Sequence, residues 1–378
     1  MLRGKTIYLP TLDGWRAVAI SLVVFCHASV GLGLGQFKDV GLLGVQIFFG
    51  LSGFLITTLL LNEEERNGSI SLRGFYTRRV FRIIPAAATF LLIVGLLSIG
   101  GVIHISLARW LSSLFFMANY SLSETSWYVG HFWSLAVEEH FYLIWPAVLL
   151  FVRGNRKRLT LAIGAALAVA LWRAVDFKFR LTWTDSAWFW GRTDINADGI
   201  LFGVIYALAL RDAQIAPALK RALSNPLAAP LSIAVFVLTA VLPSALGWKM
   251  GFILITVRAA AVPAMLLATL HNPTHLLGRM LELKPLCFLG LISYSLYLWQ
   301  QLFLVWEPNP ALHPVQWFPV NIGAAALCAV LSFYLVETPL IRLGRSVFAS
   351  ARVTNLRQRN SSPRPVRSQG DDGCDAVM

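Results

Sequence analysis

Ten stretches of this chain are apolar over a length that suits a helix crossing a bilayer: residues 12–30, 41–61, 83–103, 132–152, 159–172, 200–210, 227–246, 250–270, 285–306 and 317–336. A span needs about 20 apolar residues. Residues 159–172 and 200–210 fall short, so the pattern predicts that these two extend through polar flanks or are broken where they line a cavity. The longest polar segments are 62–82, 173–198 and the end of the chain after Arg342. The expected fold is therefore an all-α, polytopic transmembrane helical bundle of about ten helices over residues 1–341, followed by a basic, disordered tail at 342–378. The sequence contains no evident internal repeat.

Composition agrees with the pattern. Of 378 residues, 57% are hydrophobic and 13% charged, and the mean hydropathy is +0.65, far from the balance of a soluble domain. The net charge of +13 adds an orientation. Basic residues gather in the segments that face the cytoplasm if both termini do: Arg66, Arg73, Arg78, Arg79 and Arg82; Arg153, Arg156, Lys157 and Arg158; Arg211, Lys220 and Arg221; and the arginines from Arg342 to Arg367. The basic excess is thus a topology signal that also draws the chain to anionic membrane lipid, and no motif supports a nucleic-acid partner. Cys26, Cys287, Cys328 and Cys374 show no CxxC or Cys/His metal spacing, so core packing is expected for them and no metal. Asp13 and Arg16 interrupt the first apolar run, which reads as a retained helix rather than a cleaved signal.

Arg16 and His27 are the most informative pair, because both are ionisable and both lie in that first apolar run. Eleven residues at about 100° each bring them to one helix face, roughly 16 Å apart along the axis. A cation and an imidazole on one stripe suggest a polar path through the bilayer. The alternative is that each snorkels or satisfies a neighbour privately.

Three further runs carry candidate chemistry. In residues 78–85, RRVFRIIP, Arg78, Arg79 and Arg82 meet the start of the third apolar stretch, and Arg78 and Arg82 share a helix face. They fit either the positive-inside rule or a phosphate clamp. In residues 131–146, HFWSLAVEEHFYLIWP, Glu138, Glu139 and His140 are consecutive, so a helix cannot turn all three the same way without a polar interior. The carboxylates fit a structural pairing with Arg16, Arg78 or Arg82, or a carboxylate that orients His27. Residues 191–199, GRTDINADG, hold Asp194 and Asp198 four apart, for contact with sugar hydroxyls at an outer mouth or for helix capping. Tyr294 and Tyr297, in residues 293–300, SYSLYLWQ, fit interfacial anchors, with Tyr297 also a candidate for substrate contact.

Taken in order, Arg16 with His27 after ten intervening residues, RRVFRIIP, FWSLAVEEHFY, RTDINADGILFG, SYSLYLW and the closing YLVETP resemble the acyltransferase-3 family of bacterial membrane O-acyltransferases, over about residues 12–339. The resemblance implies a multi-pass protein of the inner membrane that moves an acyl group, most often acetyl, from cytoplasmic acyl-CoA to a hydroxyl of a saccharide or glycoconjugate. It implies His27 as the essential histidine and general base, Arg16 as its motif partner, Arg78 and Arg82 with neighbouring Arg79 as holders of the donor, and Glu138 and Glu139 as site carboxylates. Direct transfer and a transient acyl-histidine both remain open. Two positions depart from the pattern: His140 stands where the family usually has Gln, and Gln300 where it often has His, leaving one fewer acid/base candidate there. Some family members append a soluble hydrolase-like domain; none can be cut from these residues, so transfer is expected within the membrane body or through a separate protein. The rival from another class is a proton-coupled transporter or flippase using Arg16, His27, Glu138 and Glu139 as its path, which inverted repeats would favour.

Overall fold

The computed structural model describes residues 9–37, 39–121, 126–182, 191–246 and 248–346. Most of the tail expected at 342–378 lies outside them. The described helices run in order α1 (Pro10–Gly31), α2 (Val40–Asn67), α3 (Leu72–Ile99), α4 (Leu107–Leu114), α5 (Phe132–Phe151), α6 (Asn155–Phe179), α7 (Thr193–Ala209), α8 (Ala216–Leu223), α9 (Ala228–Leu246), α10 (Trp248–His271), α11 (Leu276–Leu281), α12 (Lys284–Leu291), α13 (Ser293–Phe303), α14 (His313–Gln316) and α15 (Val320–Ser332), the last continued by a π-turn at Phe333–Glu337. Among the described residues there is no strand. Six helices are long and apolar enough to cross a membrane, or up to eight if each of two bent pairs is one span. The chain is accordingly an all-helical, multi-pass membrane protein.

Each of the ten apolar stretches is helical, and the two short ones do extend through polar flanks. Residues 159–172 belong to α6, of 25 residues, and 200–210 to α7, of 17 residues. The ninth stretch departs from expectation. Residues 285–306 break at Ile292 into α12 and α13, bent by 71°. The cause is a backbone contact: a Cβ on Gly290 would lie 1.9 Å from the Asp13 carbonyl oxygen, so α12 is seated directly on the start of α1. The bend sends α13 into the protein's interior, where Ser295 through Phe303 are all buried.

The helix at the centre is α2, whose glycines permit close approach. A Cβ on Gly53 would sit 1.9 Å from Ile200 O, one on Gly203 2.3 Å from Gly50 O, and one on Gly44 2.3 Å from Ala19 O. Small residues at such crossings let backbones pack directly, the means by which helices associate where lipid removes the hydrophobic drive.

The far end of α2 is an acidic hub. Glu63 meets Arg78 of α3 at 3.0 Å, Glu64 meets Arg158 of α6 at 2.6 and 2.8 Å, and Glu65 meets Arg211, just past α7, at 3.2 Å. Three of the basic segments grouped together by the sequence therefore converge on one end of the bundle. The pairs differ in worth. The Arg158 side chain is 5% exposed and forms a two-pronged bond, whereas the Glu65 carboxylate is 59% exposed. Glu64→Ala is expected to cost about 2–3 kcal/mol, because it leaves a buried cation without a counter-charge and with the Val152 and Leu149 carbonyls as its remaining partners, and Glu65→Ala less than about 1 kcal/mol. Thermal unfolding of the two variants in detergent checks the ranking.

Candidate active site

Two polar centres lie along one seam, with α13 as their common wall. The first is at the α1 end occupied by His27, whose ring is half-buried. Its Nδ1 lies 2.6 Å from Gln300 Oε1 on α13. A chain of hydrogen bonds assigns the proton. The Trp127 carbonyl can only accept, so it takes Gln301 Nε2 at 2.7 Å; Gln301 Oε1 then faces Gln300 Nε2 at 3.0 Å; and Gln300 Oε1 is left for His27, whose Nδ1 must donate. In the neutral ring Nε2 therefore carries the lone pair, and the ring lines a cavity of about 390 Å³.

A neutral amide thus orients His27 in place of the expected carboxylate, and Gln300 has a defined role despite being unable to titrate. Gln300→Leu should weaken this orientation by about 1–2 kcal/mol, a loss of turnover of about 5- to 30-fold, and Gln300→His should retain more activity because it can still accept from Nδ1. Comparing the two variants' rates at matched amounts of folded protein checks this.

Tyr297, on the same helix, is buried rather than interfacial. Its hydroxyl exchanges a 2.6 Å hydrogen bond with Ser134 and its ring meets that of His131, centroids 5.4 Å apart. Tyr294 is likewise no anchor at a membrane surface, since its hydroxyl donates to Ile83 O at 2.9 Å, inside the bundle.

The second centre gathers the carboxylates and arginines. Glu138 Oε1 accepts from Ser52 Oγ at 2.6 Å, and Ser52 Oγ accepts from Tyr142 OH at 2.9 Å. Arg79 lies over the Tyr142 ring, 4.2 Å from its centroid, within electrostatic reach of Glu138 and Glu139. Arg82 is exposed and lies within electrostatic reach of Arg16, Arg79 and Glu337. Arg16 bonds to Asp13, one turn before it, rather than to a glutamate. Arg78 bonds to Glu63. Glu337, from the closing motif, accepts from Ser295 of α13. Tyr297 is within electrostatic reach of Glu138, which ties the two centres together.

The sequence-derived candidates divide accordingly. Arg16, Arg79, Arg82, Glu138 and Glu139 converge, and His27 and Tyr297 line the cavity beyond them. Asp198 turns inward instead of toward an outer mouth: it is 2% exposed and its carboxylate pairs with Arg173 at 2.8 Å. Asp194 accepts from Tyr120 at 3.0 Å and Trp172 at 2.6 Å and pairs with Arg192. Both aspartates fasten α7 to its neighbours. His140 is held at 2.7 Å from Thr193 Oγ1, in the same network. Sequence reasoning did not single out Ser52, Tyr142, Ser134 or the cavity residues Trp127 and His131. His131 carried a signal, a histidine opening an otherwise apolar run; Ser52 carried none.

A family model described as an acyltransferase domain matches residues 9–337. The chain is 30% identical over 372 residues to the peptidoglycan O-acetyltransferase OatA of Listeria monocytogenes, covering 89% of this chain and 56% of that protein. It is 31% identical over 377 residues to the O-acetyltransferase OatA of Staphylococcus aureus, covering 90% and 58%. A putative O-acetyltransferase of S. aureus is 27% identical over 370 residues. The chain thus spans less than three-fifths of the length of these relatives, 56% and 58% in the first two. No solved structure matches it.

Proposed function

We propose, from the premise that this chain belongs to the acyltransferase-3 family, that it is a membrane O-acetyltransferase using acyl-CoA, most often acetyl-CoA, as cytoplasmic donor and a glycan hydroxyl as acceptor. The observation that carries the reading is the fixed tautomer of His27: Nδ1 is spent on Gln300, which leaves Nε2 as a base on a cavity wall. His27 Nε2 takes the proton of the acceptor hydroxyl as that oxygen attacks the thioester carbonyl. The carbon–sulfur bond breaks, and the proton passes from His27 to the departing thiolate, so the base is restored. Attack by Nε2 itself, giving an acyl-histidine, uses the same geometry.

Arg82, Arg79 and Arg16 suit the donor's phosphates, because guanidinium groups bind phosphate oxygens in pairs and Arg79 and Arg16 lie within electrostatic reach of the exposed Arg82. Arg78 contributes less in this reading, since Glu63 already engages it. Glu138 and Glu139 balance the arginine charge, and Glu138, through Ser52 and Tyr142, holds the cluster in place. The charge pattern supports ten spans, both termini cytoplasmic, in the inner membrane. The glycan acceptor is supported by the name of the Listeria relative, a peptidoglycan O-acetyltransferase. Release of free CoA thiol from acetyl-CoA by the purified chain in nanodiscs, stimulated by added glycan, tests the proposal. Absence of thiol release with acetyl and longer acyl donors alike would transfer support to the proton-coupled transporter.

A further inference from the structure

The cavity beside His27 has walls that the proton chemistry alone does not call for. Trp127, Trp133 and Trp306 line it with His131. The Trp127 and Trp306 rings lie 5.2 Å apart at 53°, and the Trp127 ring also meets His27 at 4.9 Å. Trp306 is 56% exposed, which puts an indole where a ligand would first meet the site. His131 is only 4% exposed, and neither of its ring nitrogens has a hydrogen-bond partner. Buried polar groups in folded proteins almost always have partners, and those that do not mark unfilled roles. The volume of about 390 Å³ falls within the range of small-molecule sites, about 300–1,000 Å³.

We infer that this cavity seats a pyranose ring of the acceptor, with the contacting Trp127–Trp306 pair against one of its carbon–hydrogen faces and His131 exchanging hydrogen bonds with one hydroxyl while a neighbouring hydroxyl meets His27 Nε2. The inference rests on the acyl-transfer reading and adds where the acceptor sits and which residues choose it. Wall chemistry favours a sugar over the acyl chain. An acyl chain asks only for apolar walls and leaves His131 unsatisfied. A thioester carbonyl accepts but cannot donate. A neutral imidazole offers one donor and one acceptor, and a hydroxyl offers both in return. Flat amphipathic rings beside such a group match a molecule with apolar faces and a polar rim.

Calorimetric titration of the full chain in nanodiscs with the methyl glycosides of glucose and of N-acetylglucosamine, run beside the acetyl-transfer assay, tests this. At least one glycoside should bind, and His131→Leu and Trp306→Leu should each weaken it tenfold or more. The exposed Trp306 provides the test even if His131→Leu fails to fold. Glycoside affinity unchanged in Trp306→Leu, or no glycoside binding while S-acetylpantetheine binds and depends on Trp306, would overturn the inference. Glycoside binding that depends on both residues, in a chain that transfers no acetyl group, would leave the sugar site standing and refute the acyl-transfer reading instead.

Discussion

His27→Ala is expected to reduce acetyl transfer by about 10²–10⁴-fold, the usual contribution of a positioned general acid or base. Its effect on folding should be small by comparison. The ring is half-buried on a cavity wall, and its loss gives up one hydrogen bond, to Gln300, together with an edge contact to Trp127. A net hydrogen bond is worth about 1 kcal/mol, so the thermal midpoint in detergent should fall only slightly while the rate collapses. That dissociation is the signature of a chemical role. His27→Gln sharpens the test, since glutamine can keep a polar contact with Gln300 but has no imidazole lone pair, and it should be as inactive as the alanine variant. Rates per folded protein, with unfolding curves for all three chains, decide the matter.

Gly53→Ala is expected to be among the most destabilising one-carbon changes in the described residues, beside those at Gly290 and Gly14. Its new Cβ would lie 1.9 Å from Ile200 O and 2.9 Å from the attached carbon, both backbone atoms that cannot rotate away. Overpacking of this kind costs about 1–3 kcal/mol and occasionally more, and here relief requires α2 and α7 to separate where Gly203 also touches α2. The control is Gly164→Ala on the exposed face of α6, where nothing lies within 4 Å of the added carbon. There the better helix propensity of alanine should leave stability unchanged or raise it by about 0.5–1 kcal/mol. Function should suffer in the first variant as well, because Ser52 precedes Gly53 and donates to Glu138. Equal unfolding midpoints for the two variants would show that the α2–α7 contact is not as tight as described.

These predictions draw on contacts of two kinds, and only one kind was legible in the sequence. Apolar length located the long helices but not the short α4, α8, α11 and α14, and the spacing of Arg16 and His27 placed both on one face of α1, since helical periodicity is a local property. The break at Ile292 was invisible, because residues 285–306 read as one apolar run and the bend is imposed by Gly290 resting on Asp13, far away in the chain. The partner of His27 was misread for a related reason. A carboxylate is the usual companion of a buried imidazole, yet the residue that α13 delivers is Gln300, 273 positions on. Asp194 and Asp198 shared a face as expected, but which way that face turned depended on Arg173 and Trp172 of α6. Ser52 sits in an apolar helix between a leucine and a glycine, with nothing in its local sequence to distinguish it from a packing serine.

The most direct test of the central claim is transfer of radiolabel from acetyl-CoA to a glycan extract by membranes bearing this chain, set beside membranes bearing His27→Ala. The account predicts label in a base-labile glycan ester with the wild-type chain only. Label appearing equally with both chains would contradict the role of His27, and glycan or proton flux without any ester would contradict acyl transfer itself.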